Sequence, residues 1–168
     1  MKRPDGPRWK EAAASEMTNH WSNGTWELVE LPPGAKVIDS KWVFDIKRNA
    51  DGSIERYKAR LVAKGFSQRP GFEYSLDATF SPTYRPATLR LILALAAKHG
   101  LKLHSVDITH AFILGDLEET VYMRQPEGFH EGGPNVVCAL KKALYGLKQA
   151  AHNWNKKLHA ILTVMGFK

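Results

Sequence analysis

The chain has 168 residues, 43% hydrophobic and 10% aromatic, with 24 Lys and Arg against 17 Asp and Glu for a net charge of +7. That is length for one domain with its own core, which excludes a disordered chain, and no apolar run of about 18 residues is present to cross a membrane as a helix. Its one cysteine, Cys138, excludes an intrachain disulfide and a cysteine-based zinc site, and the 7 histidines show no paired metal-ligand spacing. The opening Met1-Lys2-Arg3-Pro4-Asp5-Gly6-Pro7 lacks the apolar stretch of a secretion signal, so a soluble intracellular chain with no membrane partner is expected.

Trp9, Ala13, Met17 and Trp21 recur every fourth position and predict an N-terminal helix that ends at Asn23-Gly24. Residues 26–31 read as a short edge strand closed by Pro32-Pro33-Gly34, because proline cannot extend a ladder. A hairpin follows, with arms at 41–48 and 54–66 around Asn49-Ala50-Asp51-Gly52-Ser53; Asp-Gly between two runs of branched and aromatic residues is a strong turn signal. Arg56, Lys58 and Arg60 share one parity, so one face of the return arm carries three cations. Such a row either clamps a triphosphate or nucleic-acid backbone, or is an exposed face kept soluble by its charge.

Residues 71–86 read as loop. Leu89, Leu91, Ile92, Leu93, Leu95 and Ala96 predict a helix over about 86–99, apolar almost all round and therefore buried against a sheet, with Gly100 as its stop. Ser105-Val106-Asp107-Ile108 reads as a strand entering a tight turn, with Asp107 on the face opposite Val106 and Ile108. A carboxylate delivered by an apolar strand either holds a divalent metal or caps the turn that follows. Residues 121–124 and 136–140 read as short strands, and Trp154, Leu158, Ile161, Leu162 and Met165 as the stripe of a last helix ending at Gly166. This order argues for an α+β fold, with a mixed or antiparallel sheet packed on helices, in a single domain over residues 1–168.

Charge is distributed in blocks. Residues 41–69 carry eight basic and three acidic side chains and residues 132–168 six basic and none acidic, whereas between 104 and 131 six acidic residues face Arg124 alone. Basic arms attract phosphate backbones and an acidic pocket attracts divalent cations, a combination polymerases and nucleases need; the same blocks also suit solvated faces.

The segments Asn23-Gly24-Thr25-Trp26-Glu27-Leu28-Val29, Lys41-Trp42-Val43-Phe44, Arg56-Tyr57-Lys58-Ala59-Arg60-Leu61-Val62-Ala63-Lys64-Gly65-Phe66, Thr79-Phe80-Ser81-Pro82, Val106-Asp107-Ile108, Ala111-Phe112, Gly115-Asp116-Leu117, Val121-Tyr122-Met123, Gln125-Pro126-Glu127-Gly128-Phe129 and Leu144-Tyr145-Gly146-Leu147-Lys148-Gln149-Ala150 are the most distinctive. In this order they resemble the reverse transcriptase of Ty1/copia-type LTR retrotransposons, from about Trp9 to Lys168. The resemblance implies a right-hand polymerase, an RNA-directed DNA polymerase, of which residues up to about 105 are mostly fingers and about 105–168 the first part of the palm. Asp107 matches the first catalytic carboxylate, with the Ile108 carbonyl as a second oxygen for the same metal. Ala111 and Phe112 match the residues beside the incoming nucleotide, the Phe ring lying against its sugar so as to favour dNTPs. Arg48, Lys58 and Arg60 are the candidates for the triphosphate, with the register left open; Tyr145 and Gly146 match the motif beneath the nucleotide; Arg56, Lys64 and Lys148 are candidates for nucleic acid.

The implied cofactors are two Mg²⁺ or Mn²⁺ ions and the implied partners an RNA or DNA template-primer, dNTPs and the palm, thumb and ribonuclease H portions of a parent polyprotein. The implied location is cytoplasmic or nuclear. The family's paired aspartates, in a Tyr-x-Asp-Asp hairpin, are not found after the last helix, so a fragment inactive by itself is expected. A nucleic-acid-binding remnant without catalysis, or an unstable bystander, is the alternative. Thr109-His110 and Ala151-His152-Asn153 depart from the usual pattern, the latter losing an Arg.

Overall fold

The computed structural model describes residues 4–167; Met1, Lys2 and Arg3 of the opening segment and Lys168 of the C-terminal basic arm lie outside the described residues. Helix α1 (Gly6–Ser22) starts on a proline in its first turn, where the missing N–H costs no helical bond. Trp9 donates its indole N–H to Asp5 at 2.9 Å, and its ring packs edge-on against Phe44 and Tyr57. Ala13 and Met17 are buried as expected, but the stripe then turns toward Glu16 and His20, leaving Trp21 53% exposed.

Strands β1 (Trp26–Glu30) and β2 (Val37–Ile38) lead into the hairpin β3 (Ser40–Arg48) and β4 (Ile54–Ala63). The hairpin closes where Asn49 donates its N–H to the Ser53 carbonyl at 3.0 Å, with Asp51 accepting from the Ser53 N–H and hydroxyl. Along β4 the parity holds: Ala59, Leu61 and Ala63 are buried, whereas Arg56, Lys58 and Arg60 keep contact with solvent. Helix α2 (Pro86–His99) ends at Gly100 in the left-handed conformation. It is followed by β5 (Asp116–Met123), β6 (Val136–Lys142) and α3 (Ala150–Val164). Strand order β1-β6-β5-β2, antiparallel except for the β5–β2 pair, makes a mixed four-stranded sheet, and β1 lies at its edge. The fold is α+β.

Two expectations are corrected. Residues 101–108 form no strand: a strand is held by ladder bonds to a neighbour, and among the described residues this stretch pairs with none, leaving Val106 81% exposed. Helix α2 is not packed on a sheet either. Of its residues only Ala96 is buried, and its leucines lie open to solvent.

The core lies between the four-stranded sheet and the hairpin. Leu61 and Ala63 of β4, Val121 and Met123 of β5, and Cys138 and Leu140 of β6 meet Leu144 and Leu147 in one buried cluster. Burial pushes the Cys138 thiol up to about 12, so it behaves as a small apolar side chain. A backbone seam joins the hairpin to this core: Ala63 donates its N–H to the Tyr145 carbonyl at 2.7 Å, and Lys64 to the Asp39 carbonyl at 2.7 Å. Two glycines permit the approach. A Cβ on Gly146, whose φ is +92°, would lie 2.1 Å from the Ala63 carbonyl oxygen, and one on Gly65 would lie 2.1 Å from that of Gly146.

Gly146→Ala is therefore expected to cost more than about 2 kcal/mol in urea unfolding. Gly133→Ala, where a Cβ meets nothing within 4 Å, is expected to stay near wild type.

Candidate functional site

Strand β4 carries three cations at alternate positions, and the segment after α2 brings a carboxylate to face them. Arg56, Lys58, Arg60, Asp107, Ile108 and Tyr145 line one cavity of about 220 Å³, together with Glu16, Thr109 and His110. Cations crowded into one wall repel each other. Partial burial, with Arg60 and Arg56 beside it, pulls the Lys58 ammonium below its usual range, so an incoming polyanion relieves a cost already present. Asp45, on the neighbouring strand, is a weak internal partner at 3.9 Å from Arg60.

His110 holds the turn after Asp107 in the left-handed conformation (φ 56°), which swings the chain from the extended segment into the short helical turn Ala111–Leu114. Ile113 of that turn is fully buried, and Phe112 packs against the core with its ring edge-on to Tyr145, centroids 4.8 Å apart. Ala111 and Phe112 therefore stand beside the cavity through Tyr145 and do not line it. Gly146 lines a different concave surface, a groove of about 600 Å³, with Lys41, Lys64 and Lys148. Buried amides fix this segment: Gln68 accepts the Lys148 N–H at 2.9 Å and donates to Gln149, which donates to the Glu73 carbonyl at 2.8 Å.

Arg48 is not gathered with Lys58 and Arg60. It lies at the tip of the hairpin, its guanidinium donating to the Gly52 carbonyl at 2.9 Å. Nor do the acidic residues of the middle of the chain converge: Asp116 pairs with Lys157 and Glu118 with Lys156, both on α3. The residues that sequence reasoning missed are Glu16 and His110. Glu16 is only 4% exposed; it accepts the Leu61 N–H at 3.3 Å and lies 3.3 Å from His110 Nε2 and 3.7 Å from His20 Nε2. Burial pushes its carboxyl up, but His20, the Leu61 N–H and His110 together outweigh this and hold it below the usual carboxylate range. Its signal was the helical spacing Ala13, Glu16, Met17, His20, in which a carboxylate and an imidazole one turn apart share the apolar face.

The family description reverse transcriptase (RNA-dependent DNA polymerase) matches residues 23–168. The chain belongs to this reverse transcriptase family. Among curated relatives it is 44% identical over 162 residues to the retrovirus-related Pol polyprotein from transposon RE1 of Arabidopsis thaliana, covering 95% of this chain and 11% of that protein. It is 44% identical over 163 residues to the corresponding polyprotein from transposon TNT 1-94 of Nicotiana tabacum, covering 96% of this chain and 12% of that protein. It also matches an uncharacterized mitochondrial protein, AtMg00820 of Arabidopsis thaliana, at 44% over 90 residues, covering 54% of this chain and 52% of that protein. The copia-type resemblance read from the motifs is thus borne out, and the reverse transcriptase chain spans about a ninth of the Pol polyproteins it matches. No solved structure matches it. No helix among the described residues is long and apolar enough to cross a membrane.

Polymerases of this kind use divalent metal ions. Asp107 and Ile108 line the cavity beside the cationic wall, and a carboxylate and a backbone carbonyl are oxygen donors of the kind that would fit one such ion. They do not suffice for two. Among the described residues, no group of three or more His, Cys, Asp or Glu side chains is placed to hold a metal.

The depressed Glu16 carboxyl makes a pH prediction. Unfolded chain takes up the proton first as pH falls below 4.5, so the stability Glu16 contributes is present above that pH and lost as pH drops through its folded value. The urea midpoint of wild type should fall more steeply below pH 4.5 than that of Glu16→Gln.

Proposed function

We propose that the chain is the fingers and first part of the palm of a copia-type reverse transcriptase, residues up to about 105 being mostly fingers, and that its small cavity receives the triphosphate of an incoming dNTP. The observation that carries this reading is the convergence of Asp107 and Ile108 with Arg56, Lys58 and Arg60 on one cavity, although they come from distant parts of the chain. In this reading the cations of β4 hold the phosphates, and Asp107 and the Ile108 carbonyl hold one divalent ion against them. Phe112, braced on Tyr145, stands against the sugar and favours dNTPs over their 2′-hydroxyl counterparts. Lys64 and Lys148, with Lys41, offer a second basic groove for the template-primer backbone.

The bound ion would neutralise phosphate charge during addition of a nucleotide to a primer 3′-hydroxyl. The two-metal form of that reaction needs carboxylates that the described residues do not gather around Asp107. This favours a second reading for the chain by itself, nucleic-acid binding without catalysis. The palm, thumb and ribonuclease H portions of such a polyprotein would complete the site, and the exposed leucines of α2 suit a face that they cover.

The test is primer extension by the 168-residue chain on an oligo-primed RNA template with Mg²⁺ and dNTPs, with binding to the same duplex followed in parallel. Salt-sensitive binding without extension is expected, and the triple variant Arg56→Ala, Lys58→Ala, Arg60→Ala should bind more weakly with a shallower salt dependence. Extension that Asp107→Ala abolishes would mean that the chain completes its own metal site. Unchanged affinity and salt slope in the triple variant would remove β4 from the nucleic-acid interface.

A further inference from the structure

Glu16 is an unusual residue to find at 4% exposure, since a buried carboxylate is retained only where its partners compensate its lost hydration. Its partners come from two separate parts of the site. One carboxylate oxygen accepts the backbone N–H of Leu61, one residue beyond Arg60 on β4. The other lies 3.3 Å from His110 Nε2, three residues beyond Asp107. The bond to the carboxylate requires a hydrogen on Nε2, so the Asn19 amide nitrogen, 3.3 Å from the same ring nitrogen, is a neighbour in this tautomer and not a second bond. The segment that carries Asp107 has no ladder partner among the described residues, so these contacts and the anchored turn Ala111–Leu114 are what fix it.

We infer that Glu16 is a positioning residue: its carboxylate ties the Asp107 segment to β4 through His110 and the Leu61 N–H, and so sets the gap between the metal-binding oxygens and the triphosphate-binding cations. The inference rests on the nucleotide reading of the cavity. Glu16 touches neither phosphate nor metal in this scheme. As an anion beside Arg56, Lys58 and Arg60 it opposes phosphate binding by charge, while favouring by geometry any ligand that must touch both walls at once. Those two effects have opposite signs, which separates them experimentally.

The test uses the full chain and two probes, sodium tripolyphosphate without metal and dTTP with Mn²⁺, titrated calorimetrically into wild type and Glu16→Gln. Glutamine keeps the size of the side chain and an acceptor for the Leu61 N–H, loses the charge, and turns an amide N–H toward His110, so the charge-assisted tie is replaced at most by a weaker neutral bond that needs the other His110 tautomer. Glu16→Gln should bind tripolyphosphate as tightly as wild type or more tightly, while its affinity for Mn²⁺·dTTP falls about tenfold. His110→Asn breaks the same tie from the other side, and asparagine tolerates the left-handed backbone. It should reproduce the selective loss, so a folding defect in one variant leaves the other to decide. Equal weakening of both probes in folded variants would make Glu16 a general structural residue and overturn the inference, as would no weakening of either. Failure of wild type to bind either probe would instead overturn the nucleotide reading on which the inference stands.

Discussion

Two glycines facing each other across the seam between the hairpin and the four-stranded sheet allow Ala63 and Tyr145 to hydrogen-bond backbone to backbone at 2.7 Å. A side chain at either position would force the strands apart. The seam fixes β4 against the core through Leu61 and Ala63, and the same few residues set where its three cations emerge. Two concave surfaces adjoin the seam, the small cavity with Asp107 and the lysine-lined groove with Gly146. Residues that adjoin in sequence, Tyr145 and Gly146, thereby serve different surfaces.

Electrostatics give the small cavity one strongly cationic wall. The cations held at alternate positions of one strand have only loose carboxylate partners, Glu55 at 3.6 Å from Arg56 and Asp45 at 3.9 Å from Arg60, and partial burial, with Arg60 and Arg56 beside it, lowers the Lys58 ammonium pKa. Glu16 compensates from beneath, but its oxygens are already engaged by Leu61 and the histidines. The result is a wall of three cations in one cavity with the exposed Asp107, which is why the proposed ligand is a phosphate chain carrying a divalent ion.

Local chemistry made much of the fold legible in the sequence. Asp51-Gly52 marked the hairpin, Gly100 the end of α2, and Pro32-Pro33-Gly34 the edge strand, because turns and caps are decided by a few residues. What depended on distant partners was not legible. Alternation at 105–108 resembles a strand, yet alternation supplies no ladder; the apolar periphery of α2 resembles a buried helix, yet periodicity names no covering surface. Trp21 completed an apolar stripe by spacing, but the helix rotates Glu16 and His20 inward because they have polar partners there. At the site, Lys58, Arg60, Asp107 and Tyr145 were legible through motifs and do share a cavity. Arg48 was grouped with them on the resemblance with the hairpin register left open, and the bulge at Lys47 and Arg48 together with its bond to Gly52 keeps it at the hairpin tip.

The central claim, that the walls bearing Asp107 and the β4 cations enclose one nucleotide-binding site, is tested most directly by paramagnetic broadening. Mn²⁺ with dTTP would be added to ¹⁵N-labelled chain and the amide spectrum mapped. The account predicts that signals of Lys58, Arg60, Asp107, Ile108 and Tyr145 broaden together while those of Arg48 and α2 persist. Broadening centred on the acidic strand Asp116–Met123, or spread without focus over the surface, would contradict it.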